Sequence, residues 1–276
     1  MTVVSKFGGS SLATAQNLTK VGELITSDKR RKFVVVSAIG KKDIHDIKIT
    51  DLLISSFQKQ TIDQQIIKKI TAITKDLRLD SIINLDSLIK DIQQGIAMQD
   101  YSYTVSRGEY ISTILLAHLI NYSFVDAKDY LHFNFAGDID ISKSISTLQS
   151  INPYTIIPGF YGSKPNKKIT LFSRGGSDTT GAIVSVGTKA SLYENWTDVN
   201  GVYTQNPNTH KNAKPIKYLS YTDMYTLSQS GATILHPDSI APTQQYNIPI
   251  NIRNTFAPKH TGTIIAHNFN PSFLSF

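Results

Sequence analysis

A lysine followed by two glycines and two serines lies near the start of the chain. From Lys6 the sequence reads KFGGSS, between an alternating apolar segment and a helical pattern. Glycines let successive backbone N–H groups turn toward an anion, and a helix N-terminus adds positive potential. A lysine at a strand end can reach a phosphate group as a point charge. An ordinary strand-to-helix turn has similar glycines, so the motif alone leaves both interpretations open.

A second glycine-rich turn, SRGGSDTT from Ser173, follows another apolar run. Ser177 or Asp178 could simply cap the helix that follows, with Arg174 as a surface cation. Two such turns, each with a charged residue beside its glycines, would form one phosphate cleft if they face each other across a sheet at the carboxyl ends of its strands. This arrangement favours a small phosphorylated ligand.

The segment SRGE, from Ser106 to Glu109, also matches a capping box. Ser106 would be the N-cap and Glu109 the third residue of the helix. On pattern alone this structural role is favoured over contact with a ligand. Trp196 and Tyr203 could stack on a base, although core packing is the default for aromatic residues beside a strand.

Short β-branched runs alternate with helical patterns along the chain, which predicts a mostly parallel sheet with helices on its faces. Predicted strands cover residues 3–7, 33–37, 124–127, 155–158, 169–172, 191–196 and 249–253. Predicted helices cover residues 13–26, 64–75, 107–122, 178–186, 221–230 and 237–246. Residues 51–100 contain no proline and are predicted to form a helical insertion.

The amino-acid composition excludes several classes of protein and of functional site. The 276 residues are 40% hydrophobic and include no cysteine, so a core can form without disulfides, and thiolate metal sites and thiol nucleophiles are excluded. The net charge is +7, but the lysines are scattered without a basic stripe, which favours a small anion over nucleic acid. No signal peptide is recognised, and apolar runs are shorter than the ~20 residues that a membrane span requires. We expect no membrane association and a soluble, cytoplasmic protein.

The two glycine turns together resemble the signatures of aspartokinases, in the amino-acid-kinase superfamily. Further segments follow in that family's order across nearly the whole chain. They are VVSA at 35–38, KITD at 48–51, SRGE at 106–109, PGF at 158–160, TDVNGVYT at 197–204 and GATILHP at 231–237. The resemblance implies a three-layer αβα sandwich with a mostly parallel central sheet. It also implies an N-terminal amino-acid-binding lobe over residues 1–172 and a C-terminal nucleotide-binding lobe over residues 173–276.

The activity implied by the resemblance is ATP-dependent phosphorylation of the side-chain carboxylate of L-aspartate. The product, 4-phospho-L-aspartate, begins lysine, threonine and methionine biosynthesis. The side-chain pKa of aspartate is about 3.9, so the nucleophile is already ionised near pH 7 and needs no general base. Cations and backbone donors must then supply the catalysis. Mg²⁺ is expected mainly on the ATP phosphates, without a dedicated protein metal site.

The resemblance also assigns roles to residues, and its catalytic candidates are Lys6, Arg174 and Asp178. Lys6 would hold the transferring phosphoryl group, and Asp178 would orient it. Arg174 would pair with the carboxylate of the amino acid and Glu109 with its ammonium group, a role that the family match favours over capping. The other implied contacts are Ser37, Thr50 and Phe160 for the amino acid, Lys6, Gly8, Gly9, Ser10 and Ser177 for the phosphates, and Thr197, Asp198 and Tyr203 for the nucleotide.

Three departures from the family pattern keep other interpretations open. The nucleotide motif usually ends in Asp-Pro-Arg, where this chain has Asn206, Pro207 and Asn208, and Thr233 stands where a lysine is frequent. Family members commonly continue into ACT-type regulatory domains, whereas this sequence ends at Phe276, so we expect no response to lysine or threonine. The rivals are a sister kinase acting on glutamate, acetylglutamate or UMP, and a weakly active homologue that serves as a ligand-binding partner subunit. The oligomeric state is open, with a homodimer as one candidate.

Overall fold

The computed structural model describes residues 1–205, 210, 212–229, 235 and 237–267. These residues form a sheet with helices on both faces. The strands are β1 (Val3–Phe7), β2 (Arg31–Val36), β3 (Ser123–Phe124), β4 (Thr155–Pro158), β5 (Tyr161–Ser163), β6 (Ile169–Leu171), β7 (Leu192–Thr197), β8 (Tyr218–Leu219), β9 (Ile250–Asn254) and β10 (Thr263–Ile265). The helices are α1 (Ala15–Thr26), α2 (Ile49–Lys59), α3 (Gln64–Asp76), α4 (Leu85–Ala97), α5 (Tyr101–Ile120), α6 (Ile141–Leu148), α7 (Gly176–Gly187), α8 (Tyr221–Gln229) and α9 (Pro237–Gln245).

Within the described residues the central sheet has eight strands, in the order β3-β4-β2-β1-β7-β9-β10-β8. Strand β1 lies near the middle and pairs in parallel with β2 and β7, so Phe7 is level with Val36 on one side and Trp196 on the other. Strand β4 continues the parallel pairing beyond β2, and β10 runs antiparallel to β9. The carboxyl ends of β1, β2, β4 and β7 therefore share one edge of the sheet, where open α/β sheets bind their ligands.

Alternate side chains of the strands enter two separate cores. Val4 of β1 lies in the core formed with α6, α7, α8 and α9, whereas Phe7 lies in the core formed with α1 to α5. Strands buried on both faces have nearly continuous apolar sequences, as Val34, Val35 and Val36 of β2 illustrate. The result is the predicted three-layer arrangement of helices, sheet and helices, which is confirmed.

Strands β5 and β6 form a separate antiparallel hairpin. The second glycine turn therefore leaves a hairpin strand, and the prediction that it faces the first turn across a single sheet is wrong in this respect. The turn still reaches the central sheet, because α7 begins directly after it and packs on β1, β2 and β7. The start of this helix therefore brings the second glycine turn to the sheet edge where the first glycine turn lies.

Most predicted elements are confirmed, with shifted ends. The predicted strands at 3–7 and 155–158 coincide with β1 and β4, and the predicted insertion at 51–100 contains α3, α4 and most of α2. The helix predicted over 107–122 is wrong at its start. Helix α5 begins at Tyr101, because the side chain of Asp100 accepts a hydrogen bond from the backbone N–H of Tyr103 and caps the helix there.

Three further points concern the chain as a whole. Residues 206–208 and Thr233, where the sequence departs from the family pattern, lie outside the described residues. The division near residue 172 stays a prediction, since one sheet contains strands from both sides of that position. None of the helices in the described ranges combines the length and apolar character needed to cross a membrane.

Candidate active site

The side chains of Lys6 and Asp178 meet at the carboxyl edge of the central sheet. Lys6 is the penultimate residue of β1 and lies on the same face of the strand as Val4, facing α7. Its Nζ lies 2.7 Å from Oδ1 of Asp178, with 10% and 18% of the two side chains exposed. Opposite charges at this distance, largely shielded from water, interact strongly. The structure thus brings together two of the three predicted catalytic residues.

Asp178 lies in the first turn of α7, where a negative charge is favoured by the helix dipole. It is not the N-cap. That position belongs to Gly175, which has φ 57° and ψ 20° in the left-handed region. Capping of α7 by Ser177 or Asp178 is therefore wrong. The Asp178 carboxylate is held instead by long-range contacts, with Lys6 and with the side-chain amide of Asn195, whose Nδ2 donates to Oδ1 at 2.8 Å.

The loop after β1 is pressed against the loop after β2. The backbone N–H of Gly40 donates to the carbonyl of Gly9 at 2.9 Å, and a Cβ added at Gly40 would lie 2.4 Å from that oxygen. A Cβ added at Gly9 would in turn lie 2.9 Å from the carbonyl oxygen of Ala38. Gly8 is close to the lysine, because its added Cβ would lie 3.6 Å from Lys6 Nζ. Neither Gly9 nor Gly40 can take a side chain without separating the loops.

Ser10 continues this loop as part of a short 3₁₀ segment, Gly9–Leu12. Its carbonyl oxygen accepts a hydrogen bond from Nδ2 of Asn17 at 3.0 Å, which attaches the loop to α1. The backbone of Gly8 is fixed on the other side, where its N–H donates to the carbonyl of Trp196 at 3.0 Å. The glycine loop is thus anchored to both β7 and α1.

Glu109 is a buried acid beside the loop that follows β2. It lies in the interior of α5, is 5% exposed, and its Oε2 has no hydrogen-bond partner. Burial raises the pKa of Glu109 from its ordinary 4.5 to about 8, although the backbone N–H groups of Ala38 and of Glu109 itself act in the opposite direction. The capping alternative is wrong, because Ser106 lies within α5 and its Oγ donates to the carbonyl of Tyr103.

The neighbours of Glu109 include the predicted amino-acid contacts. Gly108 lets α5 approach the β2 loop, since an added Cβ would lie 2.9 Å from Ala38 Cβ and 3.2 Å from Ile49 Cγ2. Ser37 directly precedes Ala38, and its N–H donates to the carbonyl of Phe7 at 3.1 Å. Thr50 follows Ile49 in the first turn of α2 and is half-buried. Ser37, Thr50 and Glu109 therefore belong to one corner of the sheet edge.

The residues after β4 close the other side of this corner. Phe160 has φ 77°, an unusual value for a bulky residue, and its N–H donates to Thr180 Oγ1 of α7 at 3.2 Å. Gly159 leaves room for Ser177, because an added Cβ would lie 2.6 Å from Ser177 Oγ. Arg174, in the turn before α7, is exposed. Ser177 and Phe160 are thus brought together, and Arg174 extends from the same turn toward solvent.

The predicted nucleotide contacts lie at the end of β7 and beyond it. Thr197 ends β7, and its Oγ1 donates to Oδ1 of the exposed Asp198 at 3.1 Å. The carbonyl of Asp198 accepts from Nδ2 of Asn254 at 3.3 Å. Tyr203 pairs with Pro215 in an isolated bridge. Thr197 and Asp198 follow the strand beside β1, whereas no hydrogen bond or ion pair among the described residues joins Tyr203 to Lys6 or Asp178.

Sequence reasoning missed three residues at this edge, namely Gly40, Asn195 and Tyr193. Gly40 could have been suspected, since a glycine shortly after a buried strand often allows close approach of another backbone. Asn195 and Tyr193 are buried polar groups on one face of β7, which is itself a signal because buried polar groups need partners. No group of three or more His, Cys, Asp or Glu side chains that could hold a metal ion occurs within the described ranges.

The model of the Amino acid kinase family matches residues 1–254. Aspartokinase 3 of Bacillus subtilis (strain 168) is 34% identical over 94% of this chain and 62% of the relative. Aspartokinase 1, chloroplastic, of Arabidopsis thaliana is 31% identical over 96% of this chain and 52% of the relative. The chain therefore spans between half and two thirds of the length of these relatives.

Solved structures of aspartate kinases also resemble this chain. The aspartate kinase of Clostridium acetobutylicum superposes with a TM-score of 0.87 at 39% identity, over 96% of this chain and 63% of that one. E. coli aspartokinase III, solved in complex with aspartate and ADP, superposes with a TM-score of 0.87 at 26% identity, over 98% and 65%. The uridylate kinase of Archaeoglobus fulgidus, at 18% identity and a TM-score of 0.55, shares the fold.

Proposed function

The chain belongs to the amino acid kinase family, and we propose that it transfers the γ-phosphoryl group of ATP to the side-chain carboxylate of L-aspartate. The observation that carries this proposal is the Lys6–Asp178 pair, located between the two glycine turns at the carboxyl edge of the sheet. The similarity to aspartokinase III, which was solved with aspartate and ADP, supports both substrates.

In the proposed reaction a carboxylate oxygen of aspartate attacks the γ-phosphorus, and the bond from that phosphorus to the β–γ bridging oxygen breaks to release ADP. No proton needs to move, because the nucleophile is ionised near pH 7. The Lys6 ammonium group stabilises the charge on the transferring phosphoryl group, an effect typically worth ~3 kcal/mol or more. Asp178 orients that ammonium group through the 2.7 Å contact.

The amino-acid pocket is proposed to surround Glu109. A buried carboxylate oxygen without a donor is an energetically costly feature, and the ammonium group of a bound amino acid would supply both the missing hydrogen bond and the opposite charge. Arg174 is proposed to pair with the α-carboxylate, since an exposed guanidinium can move onto a ligand and bind it in a bidentate manner. Ser37, Thr50 and Phe160 complete the pocket.

The phosphates of ATP are proposed to lie against Gly8, Gly9, Ser10 and Ser177. Gly8 has no side chain beside Lys6 Nζ, which leaves space there for a bulky anion, and its own N–H is already used by the Trp196 carbonyl. Thr197, Asp198 and Tyr203 are proposed to contact the nucleotide. Mg²⁺ is proposed to be bound mainly by the phosphates, where it would neutralise their charge.

The wider context of the reaction also stays a proposal. Formation of 4-phospho-L-aspartate would place the protein at the first step of lysine, threonine and methionine biosynthesis. A cytoplasmic location and a homodimeric state remain predictions of the same kind.

Trapping of the product with hydroxylamine tests the proposal. The purified chain is incubated with ATP, Mg²⁺ and one acceptor at a time from L-aspartate, L-glutamate, acetylglutamate and UMP, and hydroxamate and ADP are measured. We expect hydroxamate only with L-aspartate. Lys6→Ala should abolish it, and Lys29→Ala, which changes an exposed lysine in the turn between α1 and β2, should not. ADP formation with another acceptor would assign a sister activity, and no product with any acceptor would overturn the kinase proposal.

A further inference from the structure

Asn195 lies beside Lys6 on the neighbouring strand. The two residues are register partners in the parallel pair of β1 and β7, so their side chains leave the same face of the sheet next to each other. Both face α7, and both contact Asp178. Asn195 is 2% exposed, so its polar side chain is buried and requires partners.

One oxygen of Asp178 accepts from both neighbours. Nζ of Lys6 lies 2.7 Å from Oδ1, and Nδ2 of Asn195 lies 2.8 Å from the same atom. The second hydrogen of the Asn195 amide is directed to the hydroxyl of Tyr193 at 3.3 Å. That hydroxyl donates to the backbone carbonyl of Asp178 at 3.1 Å. Asn195 and Tyr193 therefore hold both the side chain and the backbone of Asp178.

A glycine in α7 makes the Tyr193 contact feasible. A Cβ added at Gly181 would lie 2.5 Å from the hydroxyl oxygen of Tyr193 and 2.7 Å from two of its ring carbons. The absence of a side chain at Gly181 therefore forms a notch in which the buried Tyr193 ring lies under the helix. The first turn of α7 is fixed relative to β7 by this fit.

We propose that Asn195 is a positioning residue for phosphoryl transfer, acting by holding the Asp178 carboxylate against Lys6, with Tyr193 as its anchor. This inference rests on the proposed function. A lysine ammonium group on a four-carbon stem has no fixed direction of its own, so its position depends on its partner. A carboxylate held only by that lysine could rotate with it. The neutral amide of Asn195 fixes the carboxylate without neutralising it, and the remaining ammonium hydrogens of Lys6 stay directed at the phosphates.

The test compares Asn195→Leu, which keeps the branched arrangement of side-chain heavy atoms and removes the donor, with wild type. We expect kcat to fall roughly 10- to 100-fold, the cost of a displacement of about 1 Å in a catalytic group. The KM values for ATP and aspartate should change less than about twofold, because binding contacts are intact. Tyr193→Phe, which removes one hydroxyl and keeps the buried ring, should give a smaller loss of kcat in the same direction.

A double-mutant cycle separates positioning from general packing. If Asn195 acts through Asp178, then Asn195→Leu added to Asp178→Asn should cost no further activity. Additive losses would overturn the inference, as would an Asn195→Leu enzyme with kcat within twofold of wild type. The matched control is Asn251→Leu on the adjacent strand, another buried asparagine, level with Glu194 and therefore on the opposite face of the sheet from Asn195. We expect this control to keep its kcat. An inactive wild type would instead refute the proposed function.

Discussion

Replacing Glu109 by glutamine removes a buried ionisable group and keeps the shape of the side chain. In the folded protein this carboxyl group is held in the interior of α5 with one oxygen unpartnered, and burial raises its pKa from 4.5 to about 8. The substitution should therefore affect two measurable properties, the pH dependence of stability and the binding of aspartate. The direction and the size of the change in each property follow from the raised pKa of Glu109.

Stability should fall with rising pH because of Glu109. Between pH 4.5 and pH 8 the folded state keeps the proton and the unfolded state has lost it. The stabilisation that the protonated Glu109 side chain gives the folded state is therefore fully present below pH 4.5. The free energy of unfolding then falls by about 1.4 kcal/mol per pH unit as the pH rises toward 8, which is up to about 5 kcal/mol between pH 4.5 and pH 8. The free energy of unfolding of Glu109→Gln should not fall in this way, because glutamine does not titrate. The variant should match wild type near pH 4.5 and exceed it in free energy of unfolding at pH 8.

Aspartate binding should release a proton from Glu109. At pH 7 roughly nine tenths of the Glu109 side chains are protonated, given a pKa near 8. An ammonium group beside the carboxylate favours its ionised form, so about 0.9 proton should leave per aspartate bound at pH 7. Affinity for aspartate should consequently rise up to about tenfold between pH 7 and pH 8.5. In Glu109→Gln the proton release should vanish, and KM for aspartate should rise about tenfold or more with ATP dependence unchanged.

Calorimetry in two buffers of different ionisation enthalpy measures the proton release, and urea denaturation from pH 5 to pH 8.5 measures the stability. The exposed Glu23→Gln on α1 is the matched control and should change neither quantity. Wild-type binding without proton release, together with unaltered aspartate kinetics in a folded Glu109→Gln protein, would refute the assignment of Glu109 to the ammonium group.

Three further predictions follow from the same geometry. Lys6→Ala should keep its circular dichroism spectrum and lose at least about 100-fold in kcat, and a near-normal kcat would exclude Lys6 from catalysis. Gly40→Ala should lower the free energy of unfolding by about 1–3 kcal/mol and raise KM for ATP, because the new Cβ would lie 2.4 Å from the Gly9 oxygen; no change in either would contradict the described loop contact. Arg31→Met leaves the buried Glu194 without one of its charged partners, so urea denaturation should show a loss of about 3–5 kcal/mol, and a loss below about 1 kcal/mol would be inconsistent with that ion pair.

Local sequence signals were sufficient for the parallel strands at the centre of the sheet and for the Lys6–Asp178 pair, but not for β5, β8 and β10. β-branched runs predicted β1 and β4 at their observed bounds, because parallel strands buried on both faces require such residues. The glycine turns then predicted that Lys6 and Asp178 approach one edge. Their contact is a consequence of chain topology, since β1 and the start of α7 both reach the carboxyl edge.

The start of α5 could not be predicted from its local pattern. Ser106 and Glu109 have the spacing of a capping box, yet the helix begins six residues before the predicted start, at Tyr101, after its Asp100 cap. A tertiary contact stabilises that earlier part, because the buried Arg107, which stacks on the Tyr103 ring within the helix at 4.3 Å, forms an ion pair with Asp91 of α4. Contacts between distant positions override the local cap, and the same is true of Asn195, whose partner lies on another element.

The environment of Trp196 gives the protein a built-in optical probe. It is the chain's one tryptophan, is fully buried, lies parallel to Phe7 with ring centroids 5.8 Å apart, and donates from Nε1 to Glu194 at 3.0 Å. Its carbonyl accepts the N–H of Gly8, so its backbone is tied directly to the loop proposed to bind phosphates. All the tryptophan fluorescence therefore comes from one side chain next to the loop that is proposed to bind phosphates. Its emission should change when nucleotide binds, so an ATP titration can be followed by intrinsic tryptophan fluorescence without an attached label.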